Sequence, residues 1–244
     1  MIPFWLHALS IAMLAAGGPI AVMIAVDEWR HPQHMAIMNV VWPVTALFGT
    51  ALALWGYLAY GRLATQKNAD AAMQRDKEAP SKRLTPFPVA VGIGAAHCGS
   101  GCTLGDIAAE WLAVAVPGIA VSFGWHSIFA DKVFAVWVID YLFAYGFGIV
   151  FQYLTIAPMR GLSFWPGLVA AVKADTLSLT AWQIGMYGFM ALAQFYLFRT
   201  LIGTRLEVTS PEFWFMMQIA MLCGFLTSYP VNWWLIRSGI KEAM

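Results

Sequence analysis

Runs of roughly twenty apolar residues recur along this chain, the length an α-helix needs to cross about 30 Å of hydrocarbon. Of its 244 residues, 60% are hydrophobic and 11% charged, where a soluble domain carries about 25% charged residues. The lipid bilayer is therefore the expected surrounding. The expected fold is all-α, a polytopic transmembrane helical bundle of about six spans in one domain over residues 1–244. Spans fall near 3–26, 36–60, 87–114, 132–157, 174–198 and 212–236. The first has no basic lead-in and no small-residue cleavage site before Asp27, so it reads as a retained span. A net charge of +1 leaves nothing to attract nucleic acid.

The long polar segment, the loop 62–85, carries Arg62, Lys67, Arg75, Lys77, Lys82 and Arg83 and ends at Pro86 and Pro88. The positive-inside rule makes it cytoplasmic. Alternation then sends 27–35, 115–131 and 199–211 outward, and 158–160 and the tail 237–244 inward, with both termini cytoplasmic. Residues 161–173 are too many for a turn and suggest an interfacial or re-entrant helix anchored by Trp165. The other tryptophans near span ends read as headgroup anchors.

Chemistry concentrates in the third span, at His97-Cys98-Gly-Ser-Gly-Cys102 followed by Asp106 and Glu110. Counted from Pro86, Cys98 lies about 18 Å deep at 1.5 Å per residue. Spacing by four stacks Cys98, Cys102, Asp106 and Glu110 into a slowly winding stripe from mid-membrane outward. Gly92, Gly94, Gly99, Gly101 and Gly105 bare another flank for close helix approach. A disulfide between Cys98 and Cys102 within one regular helix is strained. An odd cysteine count, none in loops, also argues against a disulfide framework. Packing remains the plain alternative, since a buried thiol behaves as a small hydrophobe.

Asp140, about 13 Å into the fourth span, is either functional or a tie held by Tyr141, Tyr145 or Gln183. Cys223 lies near mid-depth in the sixth span, beside Met216, Met217 and Met221, and meets Cys98 and Cys102 if spans three and six touch. Such a sulfur-rich centre suits Cu(I). His31, His34, Met35 and Met38, with His126 from the next outer loop, form a candidate copper-collecting mouth, or else an ordinary loop and helix start. Lys173 and Asp175 read as an interfacial salt bridge, or as the exit of a conduit. The chain contains no P-loop, dinucleotide glycine pattern, zinc-protease helix or c-type haem motif.

Several stretches together resemble a bacterial polytopic membrane family classed as domain of unknown function 4396. They are 96–106, then Phe151-Gln-Tyr with Pro158-Met-Arg160, then 173–187, and Tyr229-Pro-Val-Asn232 through Lys241-Glu242. The resemblance covers the third span and the second half of the chain, and leaves the first two spans unmatched. It implies a helical membrane bundle in the bacterial inner membrane and an association with copper handling, without an established activity.

The leading expectation is a membrane protein that binds or transports a soft metal ion, most simply copper. Its metal ligands would come from His97, Cys98, Cys102, Cys223, Asp106 and Asp140 at mid-membrane, and from His31, His34, Met35 and Met38 at the mouth. A periplasmic copper protein, a larger membrane complex or a second copy of the chain would be its partner. Alternatives are a haem- or quinone-linked redox protein using His7, His97 or His126, and a non-catalytic subunit or assembly factor. No nucleophile and base share an interface, which argues against a lipid enzyme.

Overall fold

The computed structural model describes residues 2–242. Met1 and the last two residues of the expected inner tail, Ala243 and Met244, lie outside the described residues. The described chain is helical, with two isolated bridges and no strand. In order come α1 (Phe4–Arg30), α2 (Met38–Ala59), a 3-10 turn (Gly61–Ala64), α3 (Gln66–Met73), α4 (Pro80–Leu84) and α5 (Phe87–Ala115). Then follow α6 (Ile119–Ser122), α7 (Lys132–Arg160), α8 (Phe164–Ala191), its π-helical continuation (Leu192–Ile202) and α9 (Pro211–Arg237). Local chemistry sets these bounds. Asp131 accepts from the Val133 N–H at 3.3 Å to start α7, and Gly161 at φ 60° closes it. Ser210 accepts from Phe213 N–H at 3.3 Å, with Pro211 opening α9.

By length and composition, α1, α2, α5, α7 and α9 suffice to cross a membrane. One of these five does not run straight. At Thr50, φ is 42° and ψ −119°, and beyond it α2 turns back on itself. The Trp42 and Tyr57 rings stand 5.6 Å apart, whereas fifteen residues of straight helix would separate them by about 22 Å. Gly61 also lies against the Trp42 ring. Residues 33 and 65 form a bridge, and the His34 N–H donates to Ala64 O at 2.9 Å. Segment 36–60 is therefore a helical hairpin with both ends together, and not a single span. Its tip carbonyls, Ala46 O and Leu47 O, sit against Gly17 halfway along α1, and Gln218 Nε2 caps Leu47 O at 2.6 Å. Its base is tied to the end of α1, where Tyr57 Oη and Arg62 Nε donate to Asp27 at 2.6 and 2.9 Å. The two arms extend about 18 Å and about 14 Å, each short of the hydrocarbon thickness.

A second correction concerns 161–173. These residues are no separate interfacial helix: after Gly161 and a two-residue link, α8 begins at Phe164 and continues unbroken to Ala191. Pro166 falls in the first turn, where its missing N–H costs nothing, and no later proline interrupts the helix. The expected fifth span, 174–198, is thus the middle of a helix that starts ten residues earlier.

The long helices α5, α7, α8 and α9 alternate in direction. Gly101 meets Gly148 and Gly105 meets Ala144 between α5 and α7, Tyr141 meets Thr180 between α7 and α8, and Trp182 meets Gly224 between α8 and α9. One end of the bundle gathers the hairpin base, the loop 62–85, Arg160 and the segment after α9, with Arg160 paired to Glu242 at 2.8 Å. The opposite end gathers His7, paired with Glu212 at 2.6 Å, together with the loop 116–131 and residues 203–210. Among the described residues, the start of α1 and the segment after α9 therefore lie at opposite ends of the bundle, unlike the expected arrangement with both on one side. The hairpin supplies the reason: an element that turns back removes one crossing from the alternation.

Candidate functional site

Bare backbone on α5 brings its neighbours in. A Cβ at Gly105 would collide with the Ala144 backbone, and one at Gly99 with the Trp182 ring. Close approach of α7 and α8 in turn presses the polar face of α5 against Asp140, Gln152, Asp175 and Gln183, all at most 2% exposed.

The centre of the site is the thiol pair. Cys98 Sγ donates to Asp175 Oδ1 at 3.2 Å, and the Cys102 thiol lies against that of Cys98. Gln152 Nε2 reaches the same Asp175 oxygen at 3.5 Å. Asp175 Oδ2 fills the space a side chain at Gly148 would occupy and has no hydrogen-bond partner. Asp175 is thus no surface partner of Lys173, which is itself exposed. His97 Nε2 sits 3.1 Å from Thr155 Oγ1, whose hydroxyl donates to Phe151 O at 3.0 Å. With that hydrogen committed, Nε2 is the donor and Nδ1 keeps an unpartnered lone pair.

Above the pair, one and two turns along α5, stand Asp106 and Glu110. Gln183 lies beside Asp106, though neither side chain completes a well-formed hydrogen bond. Asp140 lies close to both Asp106 and Glu110, and neither of its oxygens has a partner. Glu110 forms the floor of a cavity of about 350 Å³ at the His7 end, lined also by Asp131, Lys132, Gln194, Arg205 and Glu207. Below the pair, Lys241 Nζ donates to Gly94 O at 3.2 Å and to Asn232 Oδ1 at 2.7 Å, and Asn232 Nδ2 donates to Ser178 Oγ at 2.7 Å. Burial pushes the Lys241 pKa down, while Cys98, Asp175 and Cys102 pull it back. A polar track thus follows α5 from Gly94 to Glu110, about 24 Å.

Other expected ligands are not gathered here. Cys223 is partly exposed on α9, and among the described residues no three of His, Cys, Asp and Glu are arranged to hold a metal ion. Cys98, Cys102 and Cys223 therefore do not form one sulfur centre. Nor do His31, His34, Met35 and Met38 form a mouth. His31 Nδ1 approaches Asp27 O at 3.2 Å and His34 is exposed, while Met38 is buried and Met35 packs against the same apolar cluster under the hairpin. His126 stacks on Trp125 at the other end of the bundle. Of the histidines read as haem or quinone ligands, His7 holds Glu212 at one end while His97 is buried beside Thr155.

The sequence reading set Asp175 at the interface beside Lys173 or at the exit of a conduit, and gave Lys241 no part in the site. An acid inside an apolar run and a glycine two residues before a lysine were the available signals. Glu110 was legible as part of the stripe.

No match was found among curated proteins or among solved structures. The family model described as Domain of unknown function (DUF4396) matches residues 89–241, a stretch that holds the whole track from Gly94 to Lys241 and leaves out α1 and the hairpin. On that match the chain belongs to the DUF4396 family.

Proposed function

We propose that this chain is an integral membrane protein that carries a soft cation, copper(I) foremost, along the buried track, with the carboxylates passing protons. The observation that supports it is continuity. Asp175, the thiol pair, Asp106, Asp140 and Glu110 succeed one another through the buried interior of the bundle. Each ionisable group at such depth costs about 2.5–3.5 kcal/mol to insert, so unpartnered carboxylates there are functional by default. Thiols select soft ions. The thiol pair alone holds such an ion more weakly than a closed cage of ligands, as suits an ion that must leave again.

In this reading α8 crosses with α1, α5, α7 and α9, and the hairpin reaches in and returns. The end bearing Arg30, Arg62, Lys67, Arg75, Lys77, Lys82, Arg83, Arg160 and Arg237 faces the cytoplasm, against Lys132, Arg199 and Arg205 at the other end. The cavity above Glu110 then opens on the outer face of a bacterial inner membrane, where a periplasmic donor would deliver the ion.

The test is copper(I) uptake into proteoliposomes under reducing conditions. Wild type should accumulate copper, and Cys98→Ser/Cys102→Ser should lose at least tenfold of the rate. Asp106→Asn and Asp140→Asn should remove acceleration by a pH gradient. Equal uptake with and without the thiols overturns the proposal.

A further inference from the structure

Lys241 lies only four residues past the end of α9, yet it is 2% exposed. The chain gets it there by reversing. Gly239 takes φ 71°, and the Ile240 and Lys241 N–H groups donate back to Leu235 O at 3.1 and 3.2 Å. A glycine in this left-handed conformation ends the helix and redirects the backbone beyond it. Arg160, from α7, then pins the returning segment through Glu242 at 2.8 Å and through Gly239 O at 3.4 Å. The lysine side chain enters the bundle one helical turn below Cys98, which is where Gly94 O accepts from it. Of its three ammonium hydrogens, two are committed, to Gly94 O and Asn232 Oδ1. A lysine ordinarily keeps its charged tip in water, so a reversal that carries it inward needs a reason of its own.

We propose that Lys241 is the lid of the basic end of the track: a tethered cation that closes the approach to the thiol pair from that side. The lid rests on the track being a cation path. A lysine in the mouth of such a path opposes a cationic cargo, and its side chain closes the space between α5 and α9 where Gly94 and Asn232 hold it. The seal is light, since Gly239 is a hinge free of side chain and the Arg160–Glu242 pair is partly exposed on both sides. Swinging the segment after α9 outward would uncover Asn232, Ser178 and the thiols in succession.

The experiment uses the full chain in detergent with Cys223→Ser, so that Cys98 and Cys102 are the only thiols. A charged, water-soluble maleimide reports their accessibility by its rate of labelling. Lys241→Ala should raise that rate about tenfold, Arg160→Ala should raise it severalfold with the lysine still present, and Lys241→Arg should leave it unchanged. Unaltered labelling in both Lys241→Ala and Arg160→Ala, at unchanged helicity, overturns the lid. Copper uptake by the same variants separates the two readings. Faster labelling with no copper entering any liposome keeps the lid and removes the copper cargo. Thiol-dependent uptake that Lys241→Ala changes in neither rate nor labelling removes the lid and keeps the cargo.

Discussion

The hairpin α2 and the helix α8 carry opposite lessons about apolar sequence. The first is among the segments long and apolar enough to cross a membrane, and it turns back halfway. The second carries Asp175, Ser178, Thr180 and Gln183, falls outside that group, and runs unbroken for 28 residues before its π-helical continuation. Apolarity reports that a segment is kept from water. It does not report the path. In α2 the path is set by one residue with positive φ and by capping at the tip. In α8 it is set by polar side chains carried into the bundle, where Asp175 meets Cys98 and Ser178 meets Asn232.

The sharpest way to break this contrast is through the glycines, because the two regions tolerate bulk differently. At Gly105 a side chain would run into the Ala144 backbone, while at Gly18 in α1 nothing lies within 4 Å. Gly105→Leu should therefore cost more than about 3 kcal/mol and leave little folded protein, since backbone cannot yield as a side chain can. Gly18→Leu should stay within about 0.5 kcal/mol, as an unconstrained surface change does. Thermal unfolding in detergent checks both, and similar losses at the two sites would mean that close packing on α5 is not what holds the track.

The next effect runs the other way. Asp140 has no partner for either oxygen, so Asp140→Leu should stabilise the bundle by about 2 kcal/mol while removing proton-coupled uptake. A destabilised Asp140→Leu protein would make that carboxylate a structural tie, the alternative role read for it beside Tyr141, Tyr145 or Gln183. Those tyrosines hold Thr180 and Thr176 instead, at 3.0 and 2.9 Å.

What the sequence made legible divides along the same line. Hydrophobic period and proline or glycine punctuation placed α1, α5, α7 and α9 to within a few residues, because each reads locally. The stripe on α5 and its bare flank were legible for the same reason. Asp175 was misplaced through its helix: starting α8 at 174 instead of Phe164 set this acid at the surface, when it lies more than ten residues further in. Lys241 looked like one more inner charge, and only the reversal at Gly239 shows otherwise. The bend at Thr50 left no local mark, since threonine is an unusual choice there.

That choice gives a moderate prediction. The Thr50 angles, φ 42° and ψ −119°, approach those of the first central residue of a type II′ turn, where glycine is the default and a β-branched residue is strained. Thr50→Gly should raise stability by about 1 kcal/mol, visible as a Tm increase of a few degrees. Thr50→Pro, with φ locked near −65°, should destroy the hairpin. A Thr50→Gly protein that loses stability would argue that the tip is held by its side chain and not by its backbone.

The smallest expected effect lies at the hairpin base and distinguishes its two ties. Arg62 reaches Asp27 from a side chain that is 48% exposed, so water screens the pair and Arg62→Ala should cost only about 0.5 kcal/mol. Tyr57 donates to the same carboxylate at 2.6 Å from a side chain that is 1% exposed. Asp27→Ala would strand that hydroxyl and should cost about 2 kcal/mol, more than twice the loss at Arg62. If the two substitutions cost the same, the surface ion pair holds α2 folded back. If they differ as expected, the buried tyrosine does, and the hairpin depends on its interior contacts as α8 does.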